Sequence, residues 1–316
     1  MSCQRRGEYS ARVLRGPRAT VLITGAAGFV GSALARRLRS EGHRVRGLDL
    51  RAAPRTGAAG AWITHDLRTP VPRAALAGVD VVIHAAALAG VQPSWCRPLH
   101  YWQTNALATA LLRVACERAG TPRVIALSSI SVYGEGEQHG ECSPPHPLSP
   151  YGWSKLAAER MWTGYPDATV VRLSNVYGPG QRPDMAYATF IRAALCGGSI
   201  TLRDHGRQRR TPTFIDDCVA GILAAAAGGA PGATYNLAGP EVVRLAAVPL
   251  LLERLLGHSV PVLSAPAAPG DPRDATVCIN RATRELRFVP QVGIVQGVAR
   301  QLEHALGAGM PVAATA

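Results

Sequence analysis

Apolar positions along the chain fall into short runs separated by stretches with helical spacing. Ala19 to Thr24 (A-T-V-L-I-T) is such a run and leads straight into glycines. Gly28 to Ser40 then places Leu34 and Leu38 one helical turn apart, the period of a helix packed on one face. Further short runs predict strands over His43–Leu48, Trp62–Thr64, Val79–His84 and Arg123–Leu127, with helical segments between them, clearest over 99–119. A Pro-rich loop, Ser143–Pro150, precedes a predicted helix near 151–163, and Ala168–Leu173 reads as another strand. Apolar strands alternating with helices predict an α/β fold whose parallel sheet is covered on both faces. Right-handed crossovers then favour a Rossmann-type doubly wound sheet.

Past about residue 175 this rhythm weakens, and Arg-rich loops enter near 203–213 and 270–287. The expected organisation is a basic extension over 1–18, a dinucleotide-binding domain over 19–174, and a smaller mixed α/β C-terminal substrate lobe over 175–316. A segment at about 213–236 is expected to return to the first domain.

Composition narrows the function. Hydrophobic residues are 47% and charged residues 17% of 316, a globular balance rather than a disordered one. No apolar run reaches the roughly 18 residues of a membrane span, so no membrane partner is expected. The Arg-rich start has no apolar stretch of a secretory signal. The 7 cysteines are odd in number and scattered, without a C-x-x-C pair. That argues against a disulfide framework or metal site and for the reducing cytoplasm. The net charge of +13 invites a nucleic-acid reading. The basic residues are spread along the chain without interleaved aromatics, so anionic small-molecule substrates are the expected partners and nucleic acid is not. Among the 34 lysines and arginines only Lys155 is a lysine, which marks a position that needs an ammonium.

Gly25-Ala26-Ala27-Gly28-Phe29-Val30-Gly31 is G-x-x-G-x-x-G between a predicted strand and a predicted helix. There a tight turn brings a pyrophosphate onto the amides of a helix N-terminus. Asp49 ends the second strand, where a carboxylate accepts the adenosine ribose hydroxyls and repels a 2′-phosphate. NAD is therefore the expected cofactor, with nearby Arg51 as a residue that works against that preference. Asp66, followed by Leu67, is placed to meet the adenine amino group, and the small residues Ala85 and Ala86 let the chain pass close to the cofactor.

Tyr151-Gly152-Trp153-Ser154-Lys155 is Y-x-x-x-K, which puts phenol and ammonium on one helix face. A free tyrosine has a pKa near 10, and a neighbouring cation favours the phenolate. Bringing that value near 7 takes about 4 kcal/mol, which Lys155 together with a cationic nicotinamide is expected to supply. Ser128 and Ser129 end the fifth strand, where a hydroxyl is placed to hydrogen-bond a reacting oxygen.

Together these motifs closely resemble the extended short-chain dehydrogenase/reductase family, in its NAD-dependent nucleotide-sugar epimerase/dehydratase branch, over about residues 20–305. Val171 to Asp184, with R-L-S-N-V-Y-G-P-G-Q-R-P-D, Phe214-Ile215-Asp216-Asp217 and Gly270-Asp271-Pro272-Arg273 are similar to further motifs of that family. The resemblance implies Ser129 as the active-site hydroxyl, Tyr151 as acid/base and Lys155 as its ribose-binding partner. It implies Asn105 as a support on the cofactor side and Asn175 as a phosphate contact. Arg210 and Arg273 would clamp the diphosphate or nucleoside. Arg203 stands where an aromatic often stacks on the base.

Sugar 4,6-dehydratases of this family carry Asp-Glu where this chain has Ile130 and Ser131, and decarboxylases keep a Glu at the position of Ser131. Ser131 thus becomes a substrate contact rather than an acid, and both activities are disfavoured. The expected function is an NAD-dependent nucleotide-sugar epimerase, a UDP-hexose 4-epimerase working through a transient 4-keto sugar. An NAD(P)H-dependent 4-ketoreductase is the alternative, and a non-catalytic dinucleotide sensor is a further one that the complete Ser129/Tyr151/Lys155 set speaks against. The resemblance also implies a homodimer paired through helices near 99–119 and 151–163.

Overall fold

The computed structural model describes residues 18–53, 61–120 and 122–309. The basic extension expected over 1–18 lies, apart from Arg18, outside the described residues. Seven parallel strands form the central sheet: β1 (Thr20–Thr24), β2 (Arg44–Asp49), β3 (Trp62–Thr64), β4 (Val81–His84), β5 (Arg123–Ser129), β6 (Ala168–Leu173) and β7 (Thr234–Leu237). Their order across the sheet is β7-β6-β5-β4-β1-β2-β3. Helix α1 (Phe29–Ser40) crosses from β1 to β2, and the strand order reverses between β1 and β4. In such sheets the crevice at the reversal, beyond the carboxyl ends of the strands, is where ligands bind.

The sheet is doubly wound because its strands are apolar on both faces. Val21, Ile23, Ile83, Ile125 and Val171 pack with Leu34 and Leu38 of α1. The alternate positions Leu22, Val82 and Val124 pack with Leu112 and Cys116 on the opposite side. Period-2 alternation thus serves two cores rather than one core and solvent. Arg46 at the rim donates to the carbonyls of Ala74, Ala75 and Ala77, satisfying the end of a short helix.

The predicted helix over 99–119 is broken. Pro98–Trp102 and Ala108–Arg118 are α-helical, and Gln103–Leu107 between them is a π turn. The helix Pro150–Arg160 follows the Pro-rich loop. Beyond β6 the chain leaves the sheet, then returns through the helix Ile215–Gly228 to β7, which pairs with β6 at the edge. The remaining segments form a smaller lobe. Its main piece is a four-stranded sheet made of Val243–Arg244, Arg209–Arg210, Asp274–Val277 and Gly136–His139, in that order. Val262–Ala265 pairs with Ile200–Arg203 beside it. Among the described residues no helix is long and apolar enough to cross a membrane.

Candidate active site

The glycine turn is a backbone-to-backbone contact. Gly25 has φ +70°, and a Cβ there would stand 2.7 Å from both N and Cα of Ala86. A Cβ on Gly31 would stand 2.2 Å from the Gly25 carbonyl oxygen. The turn after β1 and the loop after β4 therefore lie in direct contact, which only glycine permits. Asp49 is buried at the end of β2 and braces this turn, its Oδ2 accepting the Ala27 amide at 2.9 Å. Its Oδ1 accepts the Arg51 amide at 3.0 Å and Arg51 Nε at 3.2 Å. A cradle that a Cβ would fill, followed by a carboxylate at the second strand end, fits an adenine dinucleotide.

One cavity of about 1630 Å³, counted to its open mouth, runs from this turn into the C-terminal lobe. Gly25, Gly28, Phe29, Val30, Gly31 and Ala85 line one end, and Ser129, Ser131, Tyr151 and Lys155 its middle. Asn175, Arg210 and Ala275 lie on the lobe side. Other predicted residues stand outside its wall. Asn105 and Ala86 sit behind it. Leu67 is buried in the core, and Asp66 is gripped by Arg68, with Nη2 to Oδ2 at 2.6 Å. That guanidinium holds the Asp66 carboxyl below the usual carboxylate range. The side chains of Arg203 and Arg273 are exposed and do not line the cavity. The Arg273 carbonyl, rather than its guanidinium, faces Arg210, accepting from Nη1 at 3.1 Å.

Local sequence explains how Tyr151 reaches the cavity. Ser149 caps its helix by accepting the Gly152 amide at 3.1 Å, and Pro150 occupies the first turn. A Cβ on Gly152 would fall 2.5 Å from the Ser131 carbonyl oxygen, so glycine lets this helix lie against the turn after β5. In that turn Ser129 Oγ accepts the Ser131 amide and donates to Ser131 Oγ, both at 3.1 Å. The Ser129 hydroxyl and the Tyr151 phenol line the same stretch of the cavity. Tyr101 packs edge-on against Tyr151, with ring centroids 6.1 Å apart.

Electrostatics depart from the sequence expectation at this point. Burial pushes the Tyr151 phenol above its ordinary value, and Ser129 and the Arg182 charge only pull against it. Lys155 is buried one turn on and donates Nζ to the Leu127 carbonyl at 2.7 Å. Burial in turn lowers the lysine to about 8, with Glu159 opposing. The phenol is therefore not brought down here: desolvation dominates, and the cation pulling against it is Arg182.

Asn105 owes its position to the π turn, a distortion that re-aims side chains near functional sites. Its Oδ1 accepts the Leu88 amide at 2.8 Å, and its Nδ2 donates to the Leu88 carbonyl at 3.0 Å and to Ser154 Oγ at 2.9 Å. It ties the loop after β4 to the helix of Tyr151. His84 is equally buried between Thr24 Oγ1 at 2.7 Å and Thr109 Oγ1 at 2.9 Å, and burial pulls its pKa down to about 3.

Arg210 is buried and anchored rather than loose. Its Nη2 donates to Asp271 Oδ1 and the Pro272 carbonyl, both at 2.6 Å. Asp271 and Arg182, which sequence reasoning placed only within motifs, also line the cavity, as does Ser128. Arg182 stands in the R-P-D motif, forked onto Asp184 at 2.9 and 2.7 Å. Glu159 was missed as well. The legible signal was its spacing, four after Lys155 and eight after Tyr151 on one helix.

Comparison with known proteins agrees with this geometry. Residues 21–238 match the NAD dependent epimerase/dehydratase family. An uncharacterized UDP-glucose epimerase, YtcB, of Bacillus subtilis (strain 168) is 32% identical over 308 residues, covering 90% of this chain and 97% of that protein. The solved structure of MoeE5 in complex with UDP-glucuronic acid and NAD is 36% identical with a TM-score of 0.87, covering 92% of this chain and all of that one. UDP-glucuronic acid 4-epimerase from Bacillus cereus, solved with UDP-glucuronic acid and NAD, is 31% identical with a TM-score of 0.86, covering 92% and 99%. A nucleotide cradle, a Ser-Tyr-Lys cleft and these relatives converge: the chain belongs to the NAD-dependent epimerase/dehydratase family of nucleotide-sugar enzymes, with NAD as its cofactor.

Proposed function

We propose that this protein is a nucleotide-sugar 4-epimerase acting on a UDP-linked hexose or hexuronic acid. The observation that carries the reading is one cavity lined by the glycine turn, by Ser129, Tyr151 and Lys155, and by Ile130 and Ser131. Ile130 and Ser131 offer no carboxyl group to expel a C6 hydroxyl, so the 4-keto sugar goes back to an alcohol rather than on to dehydration. When bound, NAD supplies the acceptor for one hydride and its return. Tyr151, as phenolate, takes the proton of the 4-hydroxyl while the carbon below it is oxidised. Ser129 holds the reacting oxygen throughout, and Lys155 holds the cofactor ribose and stabilises the phenolate. Once the sugar has turned over, Tyr151 returns the proton to the oxygen. Asn175 and Arg210 hold the diphosphate end, and Asp49 the adenosine ribose.

Exposed Leu99, Trp102, Leu107, Val114 and Trp153 lie on the helices between 98 and 160 and support a homodimer through them. Cys116 and Cys218 are reduced thiols deep in the core, which supports a reducing cytoplasm. The ketoreductase reading is favoured by one observation, the Arg51 guanidinium on Asp49 at 3.2 Å, which offsets the carboxylate's rejection of a 2′-phosphate.

The test begins with the purified protein, denatured to release its dinucleotide, and continues with UDP-hexoses and UDP-hexuronic acids screened for C4 inversion with nothing added. Released NAD and inversion are expected, with Tyr151→Phe abolishing turnover while NAD binding persists. Turnover unchanged in Tyr151→Phe overturns the mechanism, and a strict demand for added NADPH selects the ketoreductase.

A further inference from the structure

Beneath the cavity floor lies a buried chain of polar groups that the reaction does not touch directly. Ser128, at the end of β5, donates Oγ to Glu159 Oε1 at 2.5 Å. Glu159 is forked by Arg172 of β6, with Nε to Oε1 at 2.9 Å and Nη2 to Oε2 at 2.7 Å. Both side chains of this pair are more than nine-tenths buried. Arg172 continues through Nη1 to the Tyr133 hydroxyl at 2.8 Å, which donates to Asn236 Oδ1 at 2.8 Å. Replacing a buried ion pair with apolar residues is often neutral or stabilising, so the pair is weak evidence for a purely stabilising role.

Its position suggests another. Tyr151, Lys155 and Glu159 are spaced by four on one helix, so the carboxylate lies one turn from the ammonium. We propose that Glu159, held by Arg172 and Ser128, is a positioning residue that keeps the buried Lys155 ammonium charged in the catalytic cleft. Lys155 has one hydrogen-bond acceptor, the Leu127 carbonyl from β5. From β4 the facing titratable group is His84, which is neutral above acidic pH and supplies no counter-charge. Tyr101, on the neighbouring helix, meets Tyr151 rather than the lysine. Glu159 is thus the negative charge acting on Lys155, and it offsets part of the burial that lowers the lysine. The Arg172 fork and the Ser128 hydroxyl fix the Glu159 carboxylate in place.

The consequence for catalysis rests on the reading of Tyr151 as the base, but the test does not. Lys155 is the only lysine in the chain, so protein labelled with 13C-lysine gives a single side-chain resonance whose pH titration reports this group alone. In Glu159→Gln the midpoint is expected to fall by about one unit, tenfold in proton affinity, the size of effect an opposite charge at this range exerts. Glu159→Asp restores the charge and is expected to return most of the shift. In active enzyme the alkaline limb of kcat/KM moves down with the titration, whereas a structural role would lower activity evenly at all pH. An unshifted midpoint in folded Glu159→Gln overturns the proposal. If Glu159→Gln does not fold, the midpoints of Arg172→Leu and Glu159→Leu/Arg172→Leu are compared, which differ only in the carboxylate, and an equal midpoint in the two overturns the proposal equally. A shifted lysine in a protein without epimerase activity would sink the functional reading and leave the electrostatic one standing.

Discussion

Replacing Gly25 with alanine separates two reasons for a glycine. The residue has φ +70°, a conformation that costs an L side chain roughly 1–2 kcal/mol. Its Cβ would also meet the backbone of Ala86 at 2.7 Å, and backbone atoms cannot rotate aside as a side-chain tip can. Overpacking of this kind costs about 1–3 kcal/mol more. Gly42 supplies the control, because it has φ +86° with nothing within 4 Å of its Cβ position. Gly42→Ala should therefore carry the conformational cost alone, and Gly25→Ala about 2–5 kcal/mol in all. At about 2–4 °C per kcal/mol, Gly25→Ala should melt about 2–12 °C below Gly42→Ala. The same collision pushes the loop after β4 off the glycine turn, so NAD affinity should fall at least tenfold in Gly25→Ala alone. Thermal unfolding and calorimetric titration with NAD measure both. Equal melting temperatures and equal NAD affinities in the two variants would refute the argument that this contact builds the cofactor cradle.

Lys155 loses its proton at about 8 in the fold, against an ordinary lysine value near 10.4. Between those values the unfolded chain holds more protons, so its contribution to stability rises with pH while activity that needs the ammonium falls; pH series of unfolding and kcat/KM should run in opposite directions. Lys155→Met should abolish turnover yet raise the melting temperature at pH 7, since it removes a buried charge. His84 stays neutral down to about 3, so stability should be lost as pH falls below about 6.5, by about 2 kcal/mol at pH 5, and His84→Gln should flatten that loss in urea titrations. Trp153→Glu places a charge on the exposed apolar helix face and should shift sedimentation from dimer to monomer.

The elements were legible in the sequence because their signals are local. Trp62–Thr64 and Ala168–Leu173 are strands with the bounds their apolar runs suggest, and the glycine turn and Y-x-x-x-K lie where their flanking elements require. Ser149 and Pro150 start the catalytic helix by contacts within three residues, so its phase, and with it the shared face of Tyr151 and Lys155, is already in the chain. What tertiary structure decided depends on partners far away in sequence. The helix expected over 99–119 takes a π turn where Asn105 reaches the backbone of Leu88 and the hydroxyl of Ser154. Residues 215–237 pack their apolar side chains into the core on the α1 face of the sheet, against partners more than a hundred residues away. Arg273 matches a motif and Arg203 replaces its aromatic, yet both are exposed and neither lines the cavity, while Arg210 is held by Asp271 in its wall. The phenol's raised pKa likewise comes from burial. Periodicity and caps act within a turn or two of chain, whereas desolvation and long-range pairing exist only once the fold has closed around them.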